Sequence, residues 1–263
     1  MVLILCEERL GVMNYTHIIE PETVIPDEAL PGLKEDVRRL ASGEPLQYVL
    51  GYTDFHGHRF RVNPSVLIPR PETEMLVDEA LSELSSYGRP ARILDLCTGS
   101  GCIAWSVFLE SPGSEVLAVD ISGDALSVAS SQFSGASPEF VRQDILLGGE
   151  AFGRGLFDVI LSNPPYVMSG EKALMRRNVL EHEPGLALFV PDDDALVFYR
   201  AIAGWMDACL RPGGVCLVEI NESLVSETAG VFTDAGYKET SKIKDFFGKY
   251  RFLKIRKPSP AGL

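Results

Sequence analysis

The chain has 263 residues, 46% of them apolar and 23% charged, and a formal net charge of −13. That is an ordinary globular composition, long enough for one large domain or for one domain with a small appendage. The acid excess repels a nucleic-acid backbone, so a broad duplex-binding face is excluded and no direct nucleic-acid binding is expected. The N-terminal "MVLILCEERL" has no basic stretch ahead of its apolar run, which ends at Glu7, so it does not read as a signal peptide. No apolar run approaches the ~20 residues of a membrane helix. Cys6, Cys97, Cys102, Cys209 and Cys216 are odd in number and form no C-x-x-C pair. That pattern suggests neither a disulfide framework nor a zinc site and fits a reducing compartment. A soluble, cytoplasmic protein is expected.

Residues 1–50 read as amphipathic helix, broken by Pro21, Pro26 and Pro31, with Gly43 and Pro45 as stop signals. "YTDFHGHRFRVNPSVLIP" alternates apolar and polar residues around Gly57 and reads as a hairpin over 51–70. His56 and His58 flank that turn with Asp54 nearby, and they read as solvated hairpin histidines, not metal ligands. "RPETEMLVDEALSEL" opens a helix, with Pro71 placed in its first turn.

From Arg92 the pattern changes. "RILDL", "EVLAVD", "EFVRQD", "FDVILS" and "GVCLVEI" are short apolar strands. Helical stretches lie between most of them, at Cys102–Glu110, Gly123–Phe133 and Asp194–Leu210. Strand–helix alternation predicts a parallel sheet with helices on both faces, beginning near residues 70–90. The C-terminal "KYRFLKIRK" alternates basic and apolar residues, which reads as a strand with one solvated face.

Chemistry gathers at the strand ends. The first strand runs into "DLCTGSGCIA", where Gly99 and Gly101 allow a tight turn ahead of a helix N-terminus. The second strand ends in Asp120, positioned to accept the hydroxyls of a ribose. The third ends in Asp144, whose pairing with Ile145 can bond an adenine amino group and cover its ring. Singly, each has a bland role, a packing glycine or a helix cap. Together they point to a nucleoside cofactor. Gly99, Gly101 and Ala104 also fit the dinucleotide pattern G-x-G-x-x-A, which keeps a dehydrogenase open. Against it stand the D-x-x-x-G-x-G spacing from Asp95 and the fourth strand's exit into "SNPPYV", which has no evident role in hydride transfer.

These motifs resemble the protein-(glutamine-N5) methyltransferases, the release factor glutamine methyltransferases in particular. The likeness is carried by "GEPLQYVLGYTDFHGHRFRVNPSVLIPRPETE", "ILDLCTGSGCIA", "VDIS", "SNPPYV", "EHEP" and "DFFGKYRF", which span nearly the whole chain. The resemblance implies a helical substrate-docking domain over 1–50, a hairpin linker over 51–70 and a class I S-adenosylmethionine-dependent methyltransferase domain over 71–263. That domain is α/β and Rossmann-like, with a mostly parallel seven-stranded sheet. The resemblance also implies a cofactor site of Cys97, Thr98, Gly99, Ser100, Gly101, Asp120, Ile121, Asp144, Ile145 and Asn163. It gives the substrate glutamine, in a Gly-Gly-Gln loop of class I release factors, to Asn163, Pro164, Pro165 and Tyr166. Asn163, Pro164 and Tyr166 would be catalytic. No metal is implied.

The chemistry fits that implication. An amide nitrogen is a weak nucleophile and must be oriented in line with the methyl donor. The Asn163 side-chain oxygen and the Pro164 carbonyl can each accept one amide N–H, and Tyr166 can stack on the amide plane. Arg70, Glu72 and Thr73 divide between lining the cleft and capping a helix, and His182 and Glu183 are read as shaping the site. Three departures from the family pattern are evident. Cys97 stands where many members have glycine. Asn221 and Leu224 replace the Gly and Gln of an E-x-G-x-x-Q stretch. The N-terminal segment is shorter than usual. The alternatives are glutamine methylation of a ribosomal protein, adenine-N6 methylation of nucleic acid, and a binding module without catalysis. The first is disfavoured by the P-E-T-E run at Pro71–Glu74, the second by the net charge, and the third by the intact Asn163–Tyr166 box.

Overall fold

The computed structural model describes residues 1–13, 15–150 and 152–259. Helices α1 (Val2–Leu10), α2 (Thr16–Ile19), α3 (Leu30–Ala41) and α4 (Leu46–Leu50) form the N-terminal part. Pro31 sits in the first turn of α3, where its missing N–H costs nothing. Leu5, Leu40 and Val49 close a small core between these helices.

Strands β1 (Tyr52–Phe55) and β2 (His58–Arg61) make the expected hairpin. It is no free linker. Phe55 and Phe60 are buried in the main core with Leu76 and Trp105. Val62, Val66 and Ile68 pack on Ala125 and Val128. The Gln132 side chain accepts from Arg61 N at 2.7 Å and donates to the carbonyls of Arg61 and Ser100. His56 differs from the sequence expectation of a solvated side chain. Its ring nitrogens bond Glu110 at 2.6 Å and Asp78 at 3.1 Å, pinning the turn to two helices.

A turn over Pro71–Thr73 leads into α5 (Glu74–Ser85). The alternating part follows as β3 (Arg92–Leu96), α6 (Cys102–Glu110), β4 (Glu115–Asp120), α7 (Gly123–Ser130), β5 (Glu139–Arg142) and β6 (Phe157–Ser162). Next come β7 (Val167–Met168), α8 (Arg177–His182), β8 (Phe189–Val190), α9 (Val197–Cys209) and β9 (Leu210–Glu219). The order ends with α10 (Val225–Asp234), β10 (Glu239–Lys244) and β11 (Tyr250–Arg256).

The seven-stranded sheet has the order β10-β11-β9-β6-β3-β4-β5. Strands β9, β6, β3, β4 and β5 pair in parallel, and β11 runs antiparallel between β9 and β10. This is the α/β, mostly parallel class I methyltransferase sheet. Trp205, Tyr199 and Phe232 belong to one core cluster, and Trp105, Leu76 and Phe252 to another. The two indoles are fully buried, so their N–H groups need partners. Trp105 donates to Ala129 O at 2.7 Å and Trp205 to Ile145 O at 2.9 Å.

The C-terminal strand corrects the expectation of a solvated face. Because β11 lies inside the sheet, Phe252, Leu253 and Ile255 are buried, and the basic residues between them meet acids. Lys254 and Arg256 pair with Glu83, and Arg251 with Asp245. Among the described residues no helix is long and apolar enough to cross a membrane.

Candidate active site

The sheet changes winding direction at β3. From there the chain moves outward to β4 and β5, then returns to place β6 on the other side of β3. Ligands of open α/β sheets bind outside the strand C-termini at such a switch. A cavity of about 410 Å³ opens there. Cys97, Thr98, Gly99, Ser100, Asp120, Ile121, Asp144, Ile145, Asn163 and Pro165 line it.

The loop after β3 is shaped by residues in the left-handed region, Cys97 at φ 61° and Gly99 at φ 56°. Cys97 therefore adopts a conformation that glycine adopts without strain, consistent with the family's usual residue at that position. Burial pushes the Cys97 thiol well above its ordinary pKa, which disfavours the thiolate. Beneath the loop, burial raises the Asp95 pKa to about 7. Thr98 Oγ1 donates to its Oδ2 at 2.5 Å, while its buried Oδ1 has no partner.

Asp120 is preset by the backbone. Gly99 N donates to Oδ2 and Ser122 N to Oδ1, both at 2.9 Å. Each oxygen keeps a further lone pair for a ligand. Burial raises its pKa, against the pull of those hydrogen bonds. Asp144 caps the turn beyond β5 by accepting from Leu146 N at 2.9 Å. Ile145 is anchored in the core, so the exposed apolar groups beside Asp120 and Asp144 are Ile121 and Leu146.

Asp120, Asp124 and Asp144 thus face the cavity, while Arg70 on its wall is already paired with Glu183 at 2.7 Å. Such a lining suits a cationic nucleoside ligand and opposes the pyrophosphate of a dinucleotide. The dehydrogenase reading fails on this electrostatic ground.

The wall opposite the Gly99 loop comes from the stretch after the hairpin. Pro64, Val66, Pro69, Arg70 and Thr73 line the cavity, whereas Glu72 does not. Glu183 is buried and accepts from Ile68 N at 3.1 Å as well as from Arg70, joining this wall to the excursion between β6 and α9. That excursion contributes Pro184 and Leu186 to the cavity, and its β7 pairs with β8 in parallel. His182 does not line the cavity, and its Nε2 is buried without a partner.

Gly101, Pro164 and Tyr166 do not line the cavity. Gly101 lies against Ala129. The Tyr166 hydroxyl donates to Glu219 Oε1 at 2.9 Å. Asn221 Nδ2 donates to the Tyr166 carbonyl at 3.2 Å and to Glu171 at 3.0 Å. At φ −68° Asn221 needs no glycine, and its side chain holds the exit of the Asn163–Tyr166 box.

Two family models match the chain. One described as a methyltransferase small domain covers residues 72–182, and one described as a PrmC N-terminal domain covers residues 2–51. The chain is 41% identical over 253 residues to a release factor glutamine methyltransferase of Bacteroides thetaiotaomicron, spanning 95% of this chain and 90% of that protein. The chain belongs to the release factor glutamine methyltransferase family. Its relative in Flavobacterium psychrophilum carries the same name at 38% identity, over 90% of this chain and 84% of that protein. In fold it is similar to a methyltransferase from Pyrococcus furiosus, with a TM-score of 0.53 and 20% identity over 76% of this chain and 88% of that one.

Within this family site, sequence reasoning missed one buried group. Glu219 closes β9 and accepts from both Tyr166 and Thr73, the latter at 2.7 Å. Its signals were its place at a strand end and its match to the first residue of the E-x-G-x-x-Q stretch from which Asn221 and Leu224 depart.

Proposed function

We propose that this protein transfers the methyl group of S-adenosylmethionine to the side-chain amide nitrogen of the glutamine in the Gly-Gly-Gln loop of class I peptide chain release factors. The observation that carries the reading is the placement of Asn163. It directly follows β6 on the wall of an acidic cavity, at the switch point of a family sheet. The cofactor would supply an electrophilic methyl group on a sulfonium. Asp120 would hold its ribose, and Asp144 with Ile121 and Leu146 its adenine.

The chain's own residues then supply orientation. The Asn163 Oδ1 and the Pro164 carbonyl accept the two N–H groups of the substrate amide and aim its nitrogen. Acceptors there also stabilise the positive charge that grows on nitrogen during transfer. The prolines fix the backbone and add no competing donors. The proton leaves after transfer, so no general base is required. Tyr166 supports this box from below through Glu219, a role that replaces stacking on the amide. The paired basic residues of β11 support a protein substrate over a nucleic acid. The reading places the enzyme in the cytoplasm, where release factors act.

The test is direct. The protein is incubated with labelled S-adenosylmethionine and, separately, with purified class I release factor, a Gly-Gly-Gln→Gly-Gly-Ala variant of it, ribosomal protein and DNA. Label on the unaltered release factor alone is expected. Equal labelling of the variant, or label on ribosomal protein or DNA instead, overturns the reading.

A further inference from the structure

Asn163 can present either end of its amide to the cavity, and only one end is useful. A substrate amide N–H needs the oxygen; the Nδ2 group would repel it. Something must fix the flip.

The neighbouring hydrogen bonds do so. Asn163 Nδ2 donates to Thr73 Oγ1 at 3.3 Å, and Thr73 Oγ1 donates to Glu219 Oε2 at 2.7 Å. Glu219 is 2% exposed, and its other oxygen accepts from Tyr166. A carboxylate only accepts. The single Thr73 proton is therefore committed to Glu219, and its oxygen can only accept from Asn163. That forces Nδ2 toward Thr73 and leaves Oδ1 for the cavity. Burial raises the Glu219 pKa, and Glu72 adds to the rise; the hydrogen bonds from Thr73 and Tyr166 and the charge of Arg251 on β11 pull the other way and favour the ionised form. Glu219 accepts from two hydroxyls, one on each oxygen, which is the pattern of a carboxylate; a protonated Glu219 would donate to one of them and reverse the relay.

We propose that Glu219, acting through Thr73, is the positioning residue that sets the hydrogen-bond polarity of Asn163. This rests on the glutamine-methylation reading above for its kinetic consequence but not for its geometry. Glu219 does not line the cavity, so it acts on neither ligand directly. The three residues are 146 and 90 positions apart in their two links, which makes the relay a product of the fold.

The test uses the full chain in four forms: wild type, Thr73→Val, Thr73→Ser and Glu219→Gln. Valine keeps the shape and removes the hydroxyl; serine keeps the hydroxyl. Two readouts are taken. The first is NMR of the Asn163 side-chain amide, assigned by its disappearance in Asn163→Asp. One N–H is expected to be protected from solvent exchange in wild type and Thr73→Ser, and unprotected in Thr73→Val. The second is single-turnover methyl transfer to release factor at saturating S-adenosylmethionine. Loss of one orienting hydrogen bond predicts about a tenfold slower step in Thr73→Val and Glu219→Gln. The serine variant, which keeps the hydroxyl, should be slowed less than the valine variant. Unchanged amide exchange in Thr73→Val overturns the relay, as does equal slowing by serine and valine. Should wild type methylate no release factor, the substrate reading fails, and the NMR comparison still decides the relay. Should Glu219→Gln not fold, the valine–serine pair decides alone.

Discussion

Replacing Gly101 with alanine tests how the cofactor loop is seated. Gly101 has φ 79°, and an added Cβ would lie 2.9 Å from Ala129 Cβ and 3.2 Å from Trp105 Cδ1. The left-handed backbone costs a non-glycine residue roughly 1–2 kcal/mol. Forcing a methyl group into a filled contact costs roughly 1–3 kcal/mol more. The lower entropy of the unfolded chain returns about 0.4–1 kcal/mol. A net loss of about 1–4.6 kcal/mol follows, or roughly 2–18 °C in Tm for a chain of this size. Thermal and urea melts measure the stability, and calorimetry measures cofactor affinity, which should weaken because Ser100 shares the displaced loop. Adding Ala129→Gly removes the 2.9 Å contact and leaves the backbone strain. The double variant should therefore lose about 1 kcal/mol less than the sum of the single losses. A Gly101→Ala protein within about 0.5 kcal/mol of wild type, or strict additivity with Ala129→Gly, would refute this account of the loop.

Other substitutions separate binding from chemistry. Asp120→Ala should weaken S-adenosylmethionine binding by ~2–4 kcal/mol by calorimetry on folded protein, the scale of a charge-assisted pair of hydrogen bonds. Asn163→Ala should leave cofactor affinity nearly intact and slow single-turnover transfer about 10²–10³-fold; equal rates would reduce the box to a rigid turn. His56 gives a pH signature. Burial lowers its pKa, but bonds to Asp78 and Glu110 outweigh this and raise it above 6.5. A raised folded pKa adds stability that is full below 6.5 and is lost as pH rises through the folded value. Urea melts across that window should show this loss in wild type, and His56→Gln should flatten it.

The parallel sheet was legible because its strands are buried on both faces and read as unbroken apolar runs. Helix Cys102–Glu110 appears with the same bounds as its sequence pattern. The strand-end residues Asp120 and Asn163 were equally plain. Less visible was whatever depends on contacts between distant segments. Strand β10, "ETSKIK", is too polar to announce itself and is recruited by pairing with β11. The two-residue strands β7 and β8 are too short to carry a period. Glu219 looked like the polar end of an apolar strand, because nothing local marks Thr73 as its partner. The hairpin was recognised, but its anchoring by His56 and Gln132 was not, since all three bonds join residues more than twenty positions apart.

The position of β11 has a consequence for the order of assembly. It is synthesised after both β9 and β10, yet it separates them, bonding to one on each side. Until it arrives, β9 exposes an unpaired edge, and Phe252, Leu253 and Ile255 are missing from the packed interior. A nascent chain lacking those residues holds an open parallel sheet, a species prone to pairing with other chains. β10 cannot simply close that edge by itself, because the native register reserves the slot for a strand of opposite direction. The sheet is therefore completed out of chain order: β9 and β10 both wait for the strand that leaves the ribosome after them.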